Sequence, residues 1–447
     1  MKEEELVRTK YLIALLAALA LLAGSCGGGG LEAAAECDGE IPSGSTVTVW
    51  MHEGSEYDAL SEAMNAFNST RGPELGVTVE VVSIPEGGYT DAIKAAAAAN
   101  DLPDVIEFDG PTMANFAWAG SILAMEECIS DDVRDNLLPS LIEQGTYAGN
   151  LWGIGTFDSG LGLWAWRSAL DEVGATIPTS PDEAWTAEEF EKVLRDLKAA
   201  GYEFPLDIKP WYGSQGEWFA YAFAPMLWSA GASLIDRGDY ESADGALNSD
   251  EAVEVMTLFQ GWVNDGLIDM QAADDSNFLE KRSPISWVGH WMYSAYNEAA
   301  GSDLVLLPLP DFGEGTRTGM GSWAWAIANG ATDGDAAMAV IEHMVSDDVV
   351  LAVTAANGAV PGTKTAVAKS PNHAEGGPLE LYITQLEGAP DIAMPRALTP
   401  AYPTMTQTFT ATLDDIMQGK DPKTALDEAV AVIDADIAAN EGYPEPE

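Results

Sequence analysis

Residues Thr46-Val47-Thr48-Val49-Trp50 follow a Pro42-Ser43-Gly44 turn and alternate polar with apolar side chains, the period of two that a half-buried strand requires. Over 57–68 the period changes, and Leu60, Met64 and Phe67 recur at helical spacing on one face. A second strand is expected over 77–84, an alanine-rich helix over 89–100, and a third strand over 105–108 between Pro103 and Gly110. The opening is therefore β-α-β-α-β. Residues 186–200 predict a strong helix with Thr186 as cap, Glu189 completing a capping box and Gly201 stopping it. Another helix is expected over 249–265, buried strands over 285–288 and 304–307, and a helical tail over 423–440. Strands alternating with helices across 447 residues predict an α/β protein large enough for two lobes. No internal repeat or long low-complexity linker marks a boundary.

The first 25 residues follow another pattern. Lys2, Arg8 and Lys10 precede an apolar run over 11–23, then Ala23-Gly24-Ser25-Cys26 and four glycines. Such a run is short of the roughly 20 residues that span a bilayer, and it ends in small residues, as a secretory signal does. The cysteine makes the stretch resemble a bacterial lipoprotein signal. Cleavage before Cys26 would leave a lipidated N-terminus, with residues 26–37 as a flexible tether. No later stretch is apolar enough to cross a membrane, so only the lipid would hold the chain there.

Charge narrows the partners. Residues 1–25 carry three basic and three acidic side chains, so the mature chain keeps the formal charge of −52. Nucleic acid and anionic lipid surfaces would be repelled, and an acidic solvated face suits an exported, soluble protein. With Cys26 assigned to lipid, Cys37 and Cys128 remain as an even pair. One disulfide between them is expected in an oxidising compartment, with two free thiols as the alternative.

The chemistry gathers where the predicted elements end. Trp50-Met51-His52-Glu53 leaves the first strand, Phe108-Asp109-Gly110-Pro111 the third, and Asp158 lies in Gly155-Thr156-Phe157-Asp158-Ser159-Gly160. Trp211-Tyr212-Gly213, Gly216-Glu217-Trp218, Trp287-Val288-Gly289-His290-Trp291 and Gly319-Met320-Gly321-Ser322-Trp323 follow. Ligands of open α/β sheets lie at the carboxyl ends of strands, so these residues are expected to converge on a cleft. Indole beside carboxylate suits a sugar, whose C–H face packs on an aromatic ring while its hydroxyls bond to ionised carboxylates. Each tryptophan could equally be core, and Asp109 and Asp158 could form Asx turns. No metal or cofactor is expected: His52, His290 and Asp109 lack zinc-ligand spacing, Asp274 and Asp275 lack the calcium-loop pattern, and the glycines of 313–321 lack a phosphate-loop lysine.

Pro103-Asp104-Val105, Gly153-Ile154-Gly155, the helix over 186–200, the stretches 287–291 and 319–325, and Asn357-Gly358-Ala359-Val360-Pro361 together resemble the extracellular solute-binding protein family 1. These are sugar-binding lipoproteins of ABC importers, built like maltose-binding protein. Gly289-His290-Trp291 resembles the family's Gly-Pro-Trp, so Trp291 carries over as a sugar-stacking residue, and Asp109 matches a position that bonds sugar hydroxyls. The resemblance implies a two-lobed fold of the type II binding-protein kind, with residues 38–157 and 309–358 as one lobe and 158–308 and 359–447 as the other. Trp50, His52, Asp109, Ser322 and Trp323 would face Trp211, Tyr212, Glu217 and Trp291 across the cleft, with Asp158 at a crossover. The implied protein is a monomer without enzymatic activity that delivers its solute to a permease. A secreted carbohydrate-active enzyme would instead need two carboxyls about 5–5.5 Å or about 6.5–9.5 Å apart. A binding protein for a peptide, polyamine or iron chelate is the third reading. Arg317 and Arg396 are the cations that could reach the cleft.

Overall fold

The computed structural model describes residues 34–444; Cys26 and the stretch expected to be a signal segment lie outside them. Five strands form the first sheet in the order Val77–Pro85, Ser45–Glu53, Val105–Asp109, Trp323–Ile327, Ile154–Gly155. The first three run parallel, with Ser45 to Glu53 paired residue for residue to Val77 to Pro85, and Trp323–Ile327 is antiparallel to Val105–Asp109. Helix Tyr57–Ser69 closes one face by burying Leu60, Ala63, Met64 and Phe67. Helix Glu86–Ala99 begins before Gly87 and Gly88, earlier than its apolar spacing predicts, because the extended Pro85 leads directly into its first turn.

The second sheet has the order Leu304–Leu307, Leu161–Trp166, Ile285–Gly289, Leu206–Asp207. It holds a separate, larger core that includes Trp164, Trp262 and Trp287. Helix Ala187–Ala200 packs on it with both hydrogen bonds of the Thr186/Glu189 capping box in place. Every residue of helix Trp218–Ser229 is buried, Pro225 included. Helices Tyr402–Met417 and Pro422–Ala439 pack on the same core and against each other.

Two crossings between the cores run side by side, since Phe157–Asp158 pairs antiparallel with Val360–Pro361. A third ribbon pairs Thr318–Met320 with Ala393–Pro395. Residues 309–320, expected with the first lobe, pack instead on the second. Leu309 lies in the second core, the Asp311 carbonyl accepts from the Ala187 N–H, and Thr318 Oγ1 donates to the Leu161 carbonyl. The chain therefore enters the first sheet near Ser322. Cys37 and Cys128 form a disulfide, and the arm before it is held by Ala35 N–H donating to the Ala124 carbonyl.

Candidate functional site

A cavity of about 400 Å³ lies between the two sheets and is lined by residues of both. From the first come His52 and Glu53 at the carboxyl end of the first strand, Asp109 at that of the third, and Ser322 and Trp323 entering the antiparallel strand. From the second come Tyr212, Glu217, Trp218 and Tyr221, together with His290 and Trp291 just past strand Ile285–Gly289. The volume is within the range of small-molecule sites.

His52 is the centre of a buried ion triad. Its Nδ1 lies 2.8 Å from Glu107 Oε2 and its Nε2 lies 3.4 Å from Glu56 Oε1. Burial would push the imidazole down, but Glu107 and Glu56 overcome it and raise its pKa well above the usual histidine value. Burial likewise opposes the charge on Glu56, and the His52 hydrogen bond prevails, holding that carboxyl at about 2. Burial dominates at Glu107 and raises it. These are three side chains that could in principle ligate a metal. Both ring nitrogens are already committed, one to each carboxylate, so the arrangement is that of an imidazolium between two anions. The same ring stacks on Trp323, centroids 3.6 Å apart and planes within 9°. The indole is thereby a backed, rigid plate at the cavity wall.

Arg396 is the centre of a second ion triad that lines the cavity. Its Nη2 lies 3.1 Å from Asp109 Oδ1 and its Nη1 lies 2.7 Å from Glu217 Oε1. Burial raises the Glu217 carboxyl, with Arg396 pulling the other way. The guanidinium lies over the Tyr221 ring at 4.7 Å. Gly321 leaves room for it, because a Cβ at that position would collide with Nη2.

Trp291 packs edge-to-face on Trp218, centroids 5.8 Å apart. Gly289 is the condition for its pose: a Cβ there would run into the Trp291 ring. Behind it runs a neutral relay. Tyr221 O–H donates to Ser159 Oγ, which lies 2.9 Å from His290 Nε2, while His290 Nδ1 lies 2.8 Å from the Asn357 carbonyl. The carbonyl can only accept, so Nδ1 carries the proton and Nε2 accepts from Ser159. Burial lowers His290 to about 4.

Asp158, its neighbour at the crossover, is pushed by burial up to about 6. The two groups tilt stability in opposite directions. Between pH about 6.5 and 4 the unfolded chain takes the extra histidine proton, so His290 costs about 3 kcal/mol on acidification. Between about 6 and 4 the folded chain takes the extra Asp158 proton, which returns about 3 kcal/mol. Urea unfolding across this range should show His290→Gln gaining on wild type as pH falls and Asp158→Asn losing on it. Difference curves of the same sign would contradict the assignment.

Of the residues predicted from sequence, the cavity brings together His52, Asp109, Tyr212, Glu217, Trp291, Ser322 and Trp323. Trp50, Trp211 and Asp158 are not among its lining. Trp50 shares the His52 face of the strand but lies two residues before His52, and it packs into the core around Tyr89. Trp211 precedes Tyr212 in the 3₁₀ segment Pro210–Gln215, where successive side chains point about 120° apart. It lies instead in a recess with Met270 and Asp414. Asp158 is fully buried and accepts from the Ser159 and Gly321 N–H groups and from Gln144 Nε2, so it binds the crossover together. Glu56, Glu86, Ser159 and Tyr221 line the cavity without having been singled out as ligand contacts; Arg396, expected as a cation that could reach the cleft, does so, whereas Arg317 lies in another recess with Glu314. Of those not singled out, only Glu56 had a local signal, four residues after His52.

Solved structures share this architecture. A cyclic α-maltosyl-1,6-maltose binding protein of Arthrobacter globiformis is 20% identical, with a TM-score of 0.70 over 89% of this chain and 99% of that one. An ABC substrate-binding protein of Listeria monocytogenes, solved with cycloalternan, is 16% identical, with a TM-score of 0.75 over 88% and 99%. The sugar-binding protein MalE of Xanthomonas citri is 18% identical, with a TM-score of 0.72 over 89% and 98%. At these identities the likeness is one of fold, the two-lobed binding-protein fold. No curated protein sequence matches the chain. The family described as "Bacterial extracellular solute-binding protein" matches residues 62–376, and with two α/β cores meeting at an aromatic and acidic cavity, the chain belongs to that family.

Proposed function

We propose that this protein captures a sugar or oligosaccharide between its two lobes outside the cytoplasm and delivers it to the permease of an ABC importer, as a monomer tethered by lipid on Cys26. The observation that carries the reading is the pairing of two braced indoles, Trp323 and Trp291, with carboxylates in one cavity. An indole face takes the C–H side of a sugar ring, and carboxylate lone pairs not used by Arg396 accept from its hydroxyls. The three solved relatives are proteins whose names or complexes are saccharides, which supports the same class. A solute touching both walls stabilises the closed form by the difference between its closed and open contacts, and that difference drives closure. A hydrolytic reading is less well supported, because Asp109 and Glu217 share one guanidinium and neither stands as an unpaired acid or base.

A thermal-shift screen of mono- and oligosaccharides and polyols tests the proposal, since a solute that binds only the folded state raises its melting temperature. With a hit in hand, Trp291→Ala should weaken binding about tenfold or more in calorimetric titration while the empty protein stays folded. Gly289→Ala should do the same by displacing the ring. Wild-type affinity in both folded variants would make Trp291 a packing residue and move the test to Trp323.

A further inference from the structure

Arg396 touches both walls, and nothing in the binding of a sugar requires that. With 20 lysines and arginines against 72 acidic residues, this chain has few cations to place, yet it buries one here. Asp109 ends a strand of the first sheet, whereas Glu217 immediately precedes helix Trp218–Ser229 in the second core. One guanidinium bonds both: Nη1 donates to Glu217 Oε1 at 2.7 Å, and Nη2 donates to Asp109 Oδ1 at 3.1 Å. Tyr402 O–H, from the second core, donates to the same Glu217 oxygen and fixes it.

The contact continues away from the cavity along a seam. Asn115 Nδ2 donates to the Pro400 carbonyl at 2.8 Å, and Trp118 donates to the Pro444 carbonyl and packs edge-to-face on Tyr443 at 5.0 Å. Residues 109–118 of the first lobe thus meet residues 396–444 at three successive points, and Arg396 is the ionic one facing the cavity. An arginine in a binding cavity ordinarily suggests a carboxylate or phosphate ligand. Here two carboxylates already take its fork, and the unit as a whole carries one net negative charge.

We propose that Arg396 is a cross-cleft clasp, a positioning residue that holds Asp109 and Glu217 together and biases the lobes toward closure before any solute enters, rather than a receptor for anionic solutes. Hydrogen bonds to charged groups contribute enough that breaking the Asp109 half should lower the closed-to-open ratio about tenfold.

Small-angle X-ray scattering of the solute-free protein reads the clasp directly, and it does so whether or not the solute is a sugar. Asp109→Asn leaves the Arg396–Glu217 pair inside the second lobe and should fold normally with a larger radius of gyration and maximum dimension. Arg396→Ala should open the protein at least as far, and Arg396→Lys, a point charge without the fork, should fall between. Tyr402→Phe removes a Glu217 partner that does not cross the cleft and should scatter as wild type. Thermal shift with D-glucuronate tests the anion-receptor role, and no shift is expected. Identical scattering for wild type and Asp109→Asn would overturn the clasp, as would a glucuronate shift that disappears in Arg396→Lys.

Discussion

Replacing Cys37 and Cys128 together by serine is expected to cost about 4–5 kcal/mol of stability, the chain-entropy value for a closed loop of this length. The bridge spans 91 residues, and its loop contains the first three strands of the first sheet and the helices between them. Around it the arm is held by few other bonds. Ala35 adds one backbone bond to Ala124, and the Asp38 and Gly39 N–H groups share Asp335 Oδ2. Unfolding the bridged chain therefore releases much less freedom than unfolding the open one. Calorimetry should show the serine pair melting on the order of 10 °C below wild type. A reductant should bring wild type down to the same temperature and leave the variant unmoved. Equal melting temperatures with and without reductant would mean that the arm contributes nothing to the fold.

How much of this fold can be read from the chain depends on how local its signals are. The first three strands alternate or run apolar between turn residues, and the Thr186/Glu189 capping box needs only four consecutive positions. Both types of element appear where their patterns place them. Helix Trp218–Ser229 escapes such reading because it is buried all round, so its apolar residues have no period, and Pro225 stands inside it. Helix Tyr402–Met417 is equally obscure, for threonines at 404, 406, 408, 410 and 412 blur its helical stripe until tertiary packing selects Met405, Phe409, Leu413 and Ile416. Assignment of residues 309–320 to a lobe likewise depends on long-range contacts that no window of sequence contains.

The site divides in the same way. Trp291, Trp323, His52 and Asp109 sit at strand ends, where ligands of α/β sheets lie, and position along a strand is local information. What each is bonded to is not. Arg396 is 287 residues from Asp109 and 179 from Glu217, and Glu107 is 55 from His52. Without those partners a carboxylate at a strand end looks like a free hydroxyl acceptor, whereas the fold makes Asp109 one of the two anions that share Arg396. Trp50 and Trp211 show the converse. Each stands within two positions of a cavity residue in sequence, Trp50 of His52 and Trp211 of Tyr212, and that shift along a strand or turn sends the ring elsewhere.

His52→Ala should cost about 3–5 kcal/mol near pH 6, because it strips the cation from two buried carboxylates and leaves them facing each other. In wild type the raised imidazole contributes stability that is fully present below about pH 6.5 and is lost as pH rises through its folded value. Glu56, lowered to about 2, contributes stability that is present above about 4.5 and is lost as pH falls through 2. Together His52 and Glu56 therefore contribute most between pH about 4.5 and 6.5, and the raised Glu107 offsets part of that contribution above about 4.5. In the variant, Glu56 and Glu107 can relieve their repulsion by taking up protons, so the deficit should shrink as pH drops below about 4.5. Urea unfolding at pH 6 and pH 4 measures both points. The same substitution removes the ring that backs Trp323 at 3.6 Å, so a sugar found in the screen should also bind more weakly at a pH where the variant is folded. His52→Gln separates the two effects, since a neutral amide can donate to one carboxylate but supplies neither the charge nor the flat face. A deficit that is small and independent of pH would mean that His52 is neutral between Glu56 and Glu107, and that the cavity wall is held by packing alone.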